Sequence, residues 1–144
     1  MVKGLRVWRS KGIQPTLDTN ACSSGDAVGI KTQITGIPDS GIIRTIQIAD
    51  DADQDIDLNV WIFDSEPTGV ADDAAMALAD ADAKKLINKV LVDTRVDGTN
   101  NRIGVEHPNL YYRADGGEVW FQLSTGGTPT YAADSLTVRF TVEH

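Results

Sequence analysis

The chain has one cysteine, Cys22, in 144 residues. That excludes an internal disulfide and a zinc centre built from thiolates. No histidine lies near it in sequence, so Cys22 reads as a small buried or half-buried side chain rather than a reactive thiol. Histidine is equally scarce: His107 precedes Pro108 in an expected turn and His144 is the last residue. Nucleophilic catalysis needs a base held beside a Ser or Cys, and two distant histidines do not mark one. Nor do they make a zinc site by themselves. No apolar run approaches the ~20 residues that cross a bilayer. The opening MVKGLRVWRS lacks an apolar core and a small-residue cleavage site, so a secretory signal is not expected. Positive charge is short, with 13 Lys and Arg against 21 Asp and Glu, a net charge of −8 and a pI near 4.5. A nucleic-acid partner or an anionic membrane surface is therefore disfavoured, because phosphate neutralisation needs a basic surface; a basic protein partner suits the charge better.

What is present is a dense set of two-residue alternations. The length suits one domain over residues 1–144. In SLTVRFTVE, Leu136, Val138, Phe140 and Val142 share one face; in EVWFQLS, Val119, Phe121 and Leu123 do the same. IDLNVWIF puts Ile56, Leu58, Val60 and Ile62 opposite Asp57, Asn59, Trp61 and Phe63. GIIRTIQIA and the weaker AVGIKTQITGI add two strands. KVLVDTRV and NRIGVE are two more, parted by the turn pair Asp97-Gly98, and GLRVWR is an edge strand. Turn clusters at Pro38–Gly41, Ala114–Gly117 and Gly126–Pro129 separate them. Short strands so spaced predict an all-β fold, an antiparallel β-sandwich or jelly roll, rather than the strand–helix alternation of a parallel sheet.

Two stretches differ. GVADDAAMALADADAKKLINKV is Ala-rich and predicts one or two short helices inserted around residues 72–87. Asp80 is placed to cap a helix over Ala81 to Ile87, with Leu86 and Ile87 pinning it to the sheet, and Asp72 to cap a preceding turn. Residues 9–26 show no period and read as a surface loop or as an arm ordering against a neighbour. The expected organisation is thus an N-terminal arm or edge segment over 1–26 and a β-sandwich core over 27–144.

The nearest thing to a metal motif is the run Asp50, Asp51, Asp53, Asp55, Asp57. Alternating carboxylates open a calcium loop, yet Ile56 stands where that loop needs Gly and Ile62 where it needs a bidentate Glu. A solvated acidic loop is the better reading. The glycines fall in hairpin turns, so no phosphate loop is expected, and no pair of acids stands out for glycoside hydrolysis. No catalytic residue, cofactor or metal site is assigned, and an enzyme is not expected. The aromatics say more. Trp120 alternates with Phe121, and Trp61 and Phe63 oppose an apolar face; the inserted helices are expected to cover that last pair. Trp8, Tyr111, Tyr112 and Trp120 are the candidate interface residues, since outward aromatics anchor protein contacts or stack on sugars.

Two blocks carry a family resemblance. The first, WIFDSEPTGVADDAAMALADADAKKLINKVLVDT, is a strand running through Pro67-Thr68 into an Ala-rich segment. The second, YYRADGGEVWFQLSTGGTPTYAADSLTVRFTVE, is a tyrosine strand, a Gly turn, an aromatic strand and a final strand. Together they resemble structural proteins of tailed-bacteriophage virions, most of all capsid decoration or head cement proteins. The resemblance implies a β-sandwich subunit that forms a homo-oligomer, a trimer, and binds the major capsid protein. Its place would be the capsid surface of the virion, after synthesis in the host cytoplasm. The second reading is a carbohydrate-binding or host-adsorption module of a phage head or tail.

Overall fold

The computed structural model describes residues 4–94, 96–114 and 117–144. Its strands are β1 (Val7–Arg9), β2 (Ala27–Gln33), β3 (Ser40–Asp50), β4 (Leu58–Phe63), β5 (Leu86–Val92), β6 (Val96–Asp97), β7 (Arg102–Glu106), β8 (Leu110–Arg113), β9 (Trp120–Thr125) and β10 (Leu136–Glu143), with one helical turn, α1 (Asp80–Ala83). The larger sheet runs β1-β10-β3-β7-β6, with β8 also on β3; the smaller runs β2-β9-β4-β5. Every pairing is antiparallel. This is the all-β sandwich that the alternations predict.

The alternation is what closes it. Leu136, Val138, Phe140 and Val142 from β10 and Ile43, Ile46 and Ile48 from β3 all turn inward. They meet Leu58, Val60 and Ile62 of β4 and Phe121 and Leu123 of β9 in one continuous core. Phe121 and Phe140 join the layers at 5.3 Å between ring centroids, tilted by 60°, a favourable edge-to-face geometry. A bulge displaces the register between Thr141 and Val142, so Ile42 and Ile43 both keep partners while Ile43 alone reaches the core.

Four expectations need correction. The Ala-rich segment is not a helix over 81–87. Its helical turn ends at Ala83, Leu86 and Ile87 already belong to β5, and Asp80 makes no capping bond, the N-cap being Ala79. The backbone of 73–76 instead bonds β2 and its approach: Ala27 N–H donates to Ala74 O, Asp73 N–H to Ala27 O and Met76 N–H to Gly25 O. An available strand edge has overridden helix propensity, which is worth only tenths of a kcal/mol per residue. Asp72 caps no turn; its carboxylate accepts from the N–H groups of Asp18 and Gly29.

KVLVDTRV is not one strand either. β5 ends at Val92 in the smaller sheet, Thr94 is buried and donates to Ile56 O, and Val96 then pairs with Ile103 in the larger sheet. Gly104 makes that crossing feasible: a Cβ there would run into the Asp93 carbonyl oxygen and the Val92 side chain. Ile56 stands outside β4, which starts at Leu58 behind Asp53 and Asp55, both held at positive φ. Of the expected turn at 114–117, Asp115 and Gly116 lie outside the described residues.

Residues 10–26 lie along their own sandwich. Ser10 is buried and exchanges bonds with Phe140, Ile13 pairs with Val138, Ala21 bridges Thr130, and Pro15 and Cys22 are buried. Residues 1–3 of the expected arm lie outside the described residues.

Candidate functional site

The two outer faces of the sandwich are built differently. Over the smaller sheet passes the segment joining β4 to β5. Gln122 on β9 is an outward residue by register, yet it is fully buried. Its Nε2 donates to Gly29 O (3.0 Å) and Val70 O (2.8 Å), while its Oε1 accepts from Val70 N–H (3.2 Å). Lys31 reaches up to Glu66 and the Pro67 carbonyl and also lies 5.7 Å from the Trp120 ring centroid. Asp82, buried, accepts from the N–H groups of Thr68 and Gly69. Gln122 and Lys31 thereby fix the crossing segment to the sheet, and Asp82 braces it from within.

The outer face of the larger sheet has no such cover among the described residues. Its outward residues include Leu5, Val7, Val96, Val105 and Tyr111, all exposed. At one end Leu5, Pro38, Ile42, Tyr111, Glu143 and His144 line a shallow groove of about 410 Å³. Arg44 holds Glu143 there at 2.8 Å, and the guanidinium keeps that carboxyl below its usual range. A second groove, of about 570 Å³, runs between the sheet edges past Trp8, Lys11, Ile13 and Gln33.

These positions sort the expected interface residues. Tyr111 is 68% exposed and lines the first groove. Trp8 is half-buried, packs on the core and lines the second. Trp120 is half-buried, with its Nε1 donating to Glu118 and Lys31 on its ring, so the smaller sheet's own decoration occupies it. Tyr112 is a correction. β8 alternates, so with Tyr111 outward it is 1% exposed, and its hydroxyl donates to Pro38 O. Burial also drives that phenol well above its usual range. Phe63 is buried as expected, but Trp61 is not under a helix. Its Nε1 donates to Ser124 Oγ and Lys89 sits 5.2 Å from its ring centroid.

The acidic run does not converge as a calcium loop. Asp50 turns inward and accepts from the N–H groups of Ala52 and Gln54 in its own turn; burial raises its pKa. Arg102 takes the place a cation would hold: its Nε lies 2.9 Å from Asp53 Oδ1 and its Nη1 3.2 Å from Asp55 Oδ1. A different acidic trio does come together, and periodicity gave no hint of it. The carboxylates of Asp18, Asp72 and Asp73 offer oxygens within 4.8 Å of one another. That spread matches oxygens sharing a calcium ion, whose bonds are about 2.3–2.6 Å. The protein already answers much of this charge itself. Asp18 accepts from Asn20, Asp72 from two backbone N–H groups, and Asp73 from the Cys22 thiol at 3.1 Å. Desolvation and the neighbouring carboxylates raise Asp73, while Asp18 is lowered by the Asn20 N–H. Cys22, buried beside these acids, is pushed up to about 12 and is a poor nucleophile at neutral pH. His107 is exposed.

Compared with known proteins, the chain matches no family model, no curated protein and no solved structure.

Proposed function

We propose that the chain is a virion structural protein that decorates and stabilises a phage capsid, binding the major capsid protein and associating with its own copies on the shell surface. The observation that carries the reading is the contrast between a smaller sheet crossed over Gln122 by its own chain, with Ile30 and Leu91 still exposed, and a larger sheet whose partly apolar outer face is crossed by no segment among the described residues. A rigid sheet presenting Tyr111 and aliphatic side chains among arginines has the composition of a protein-binding surface. The resemblance of residues 61–94 and 111–143 to head decoration proteins supports the same reading. In this role the protein works by adding buried contact area between capsomers, and its side chains bind rather than catalyse. Co-sedimentation with capsids stripped of decoration tests it. Saturable binding that strengthens the shell against heat is expected; absence of binding at high micromolar protein overturns it.

The groove at Tyr111 favours one second reading, a carbohydrate-binding or host-adsorption module. An exposed aromatic ring beside Asp39 and Glu143 supplies the stacking surface and the acceptors that a sugar uses. Glycan binding that is lost in Tyr111→Ala, together with indifference to capsids, selects it.

A further inference from the structure

The net charge of −8 is not spread over the molecule. Residues 50–82 hold eleven of the 21 acidic residues and none of the 13 Lys and Arg, so the rest of the chain carries ten acids against thirteen bases. Five of the eleven, Asp50, Asp51, Asp53, Asp55 and Asp57, lie at the end of β3 and in the loop before β4, where Arg102 holds Asp53 and Asp55; the other six fall within residues 64–82, on the segment that joins β4 to β5 and holds no Lys or Arg over that span. Residues 66–70 are bonded over the outer side of the smaller sheet through Lys31 and Gln122, and residues 72–76 run along the edge of β2 through Gly29, Ala27 and Gly25. The outer side of the larger sheet points the opposite way and displays arginines. Phe140, Tyr112 and Trp8 turn inward, so Arg139, Arg113 and Arg9 turn outward, and all three are exposed. None of the three has an ion-pair partner among the described residues; Arg9 reaches only Gln47.

From this opposition we infer that the open face of the larger sheet docks the acidic crossing segment of a second copy, head to tail. The inference rests on the reading of the chain as a self-associating subunit and names the surfaces it uses. Three features make a second copy the fitting occupant. The complementary charge is carried by this same chain, on the opposite face. The exposed carboxylate of Asp80 on that segment is available to form charge-assisted bonds with a guanidinium group. Val7, Val105 and Tyr111 lie among the arginines and supply the apolar area that charge alone does not. Two bodies of like net charge repel at long range, but at about 0.15 M salt the screening length is about 8 Å, so the local patches decide. A head-to-tail contact is heterologous and generates a closed ring where the rotation permits, and a filament where it does not.

Sedimentation velocity of the full chain, without capsids, tests the contact. The wild type is expected to associate at about 0.15 M NaCl and to fall at least tenfold in association constant at about 1 M, where the screening length is about 3 Å. Arg9→Glu/Arg139→Glu alters only the open face, and Ala77→Lys/Asp80→Lys only the acidic segment; all four positions are exposed, and circular dichroism checks that each variant is folded. Each variant alone is expected to be monomeric. Their equimolar mixture restores one native pair of surfaces and creates one charge-swapped pair, and is expected to associate with the two variants in equal numbers. A monomeric wild type, variants that associate like the wild type, or a mixture that stays monomeric overturns the inference. Self-association without capsid binding would sink the decoration reading and leave this contact standing; capsid binding by a monomer does the reverse.

Discussion

The two outer faces come from strands of the same kind, yet one is partly covered by its own chain and the other is open among the described residues. On the smaller sheet, Gln122 stands at an outward position and is wholly buried, because residues 66–70 are bonded over it. On the larger sheet, Tyr111 stands at an equivalent outward position and is 68% exposed. An outward polar residue buried with every bond made does structural work, and an outward aromatic left exposed is available for contact. The difference teaches that exposure, not side-chain type, decides which outward residues are free to bind.

The largest break in this comparison is expected at Gln122. Gln122→Ala strands the Gly29 and Val70 carbonyls and the Val70 N–H, and urea unfolding should show a loss of about 3 kcal/mol. Asp82→Ala removes the acceptor for the Thr68 and Gly69 N–H groups and should cost about 2 kcal/mol in the same assay. The open face should behave oppositely. Tyr111→Ser is expected to leave unfolding within about 0.5 kcal/mol of wild type while weakening self-association.

A smaller effect comes from Asp73. Its folded-state pKa is raised, so across the window between its unfolded and folded values the native state holds more proton than the unfolded state. Its contribution to stability therefore falls as pH rises through that window and is constant above it. Asp73→Asn removes this penalty, keeps an acceptor for the Cys22 thiol and tolerates the backbone φ of 60°. Its melting temperature should exceed that of wild type at neutral pH, with the gain vanishing in acid. Glu143, lowered by Arg44, has the opposite sign: its contribution is present above the ordinary carboxylate range and is lost as pH falls through the lowered value. Smallest in energy, and sharp as a probe, is Cys22. Burial and a pKa near 12 predict negligible labelling by a thiol reagent at about pH 8 until the protein unfolds.

Much of the fold was legible in the chain. β10 follows its alternation residue by residue, and β9 and β4 place Phe121, Leu123, Val60 and Ile62 as their period requires. Helix propensity failed at residues 73–76, where the open edge of β2 offered backbone bonds that an isolated reading cannot weigh. The single strand expected over KVLVDTRV failed because a change of sheet at Asp93 and Thr94 leaves no mark in a two-residue period. At the candidate site, Tyr111 and Tyr112 are neighbours of one type, and only the register against Ile42 and Gly41 says which is inward. The trio of Asp18, Asp72 and Asp73 was invisible, since its members come from segments more than fifty residues apart.

By itself the sequence determined the all-β class, the inward residues of most strands, the exclusion of an internal disulfide and of a zinc centre built from thiolates, and the unequal placement of charge along the chain. Those are properties of local period and composition, which need no partner to be expressed. Tertiary structure alone decided which face the acidic segment covers, which tyrosine is buried, that Arg102 holds Asp53 and Asp55, and that the arginines share an open surface. Those depend on strand order and on contacts between residues far apart in the chain, and a one-dimensional pattern does not encode them.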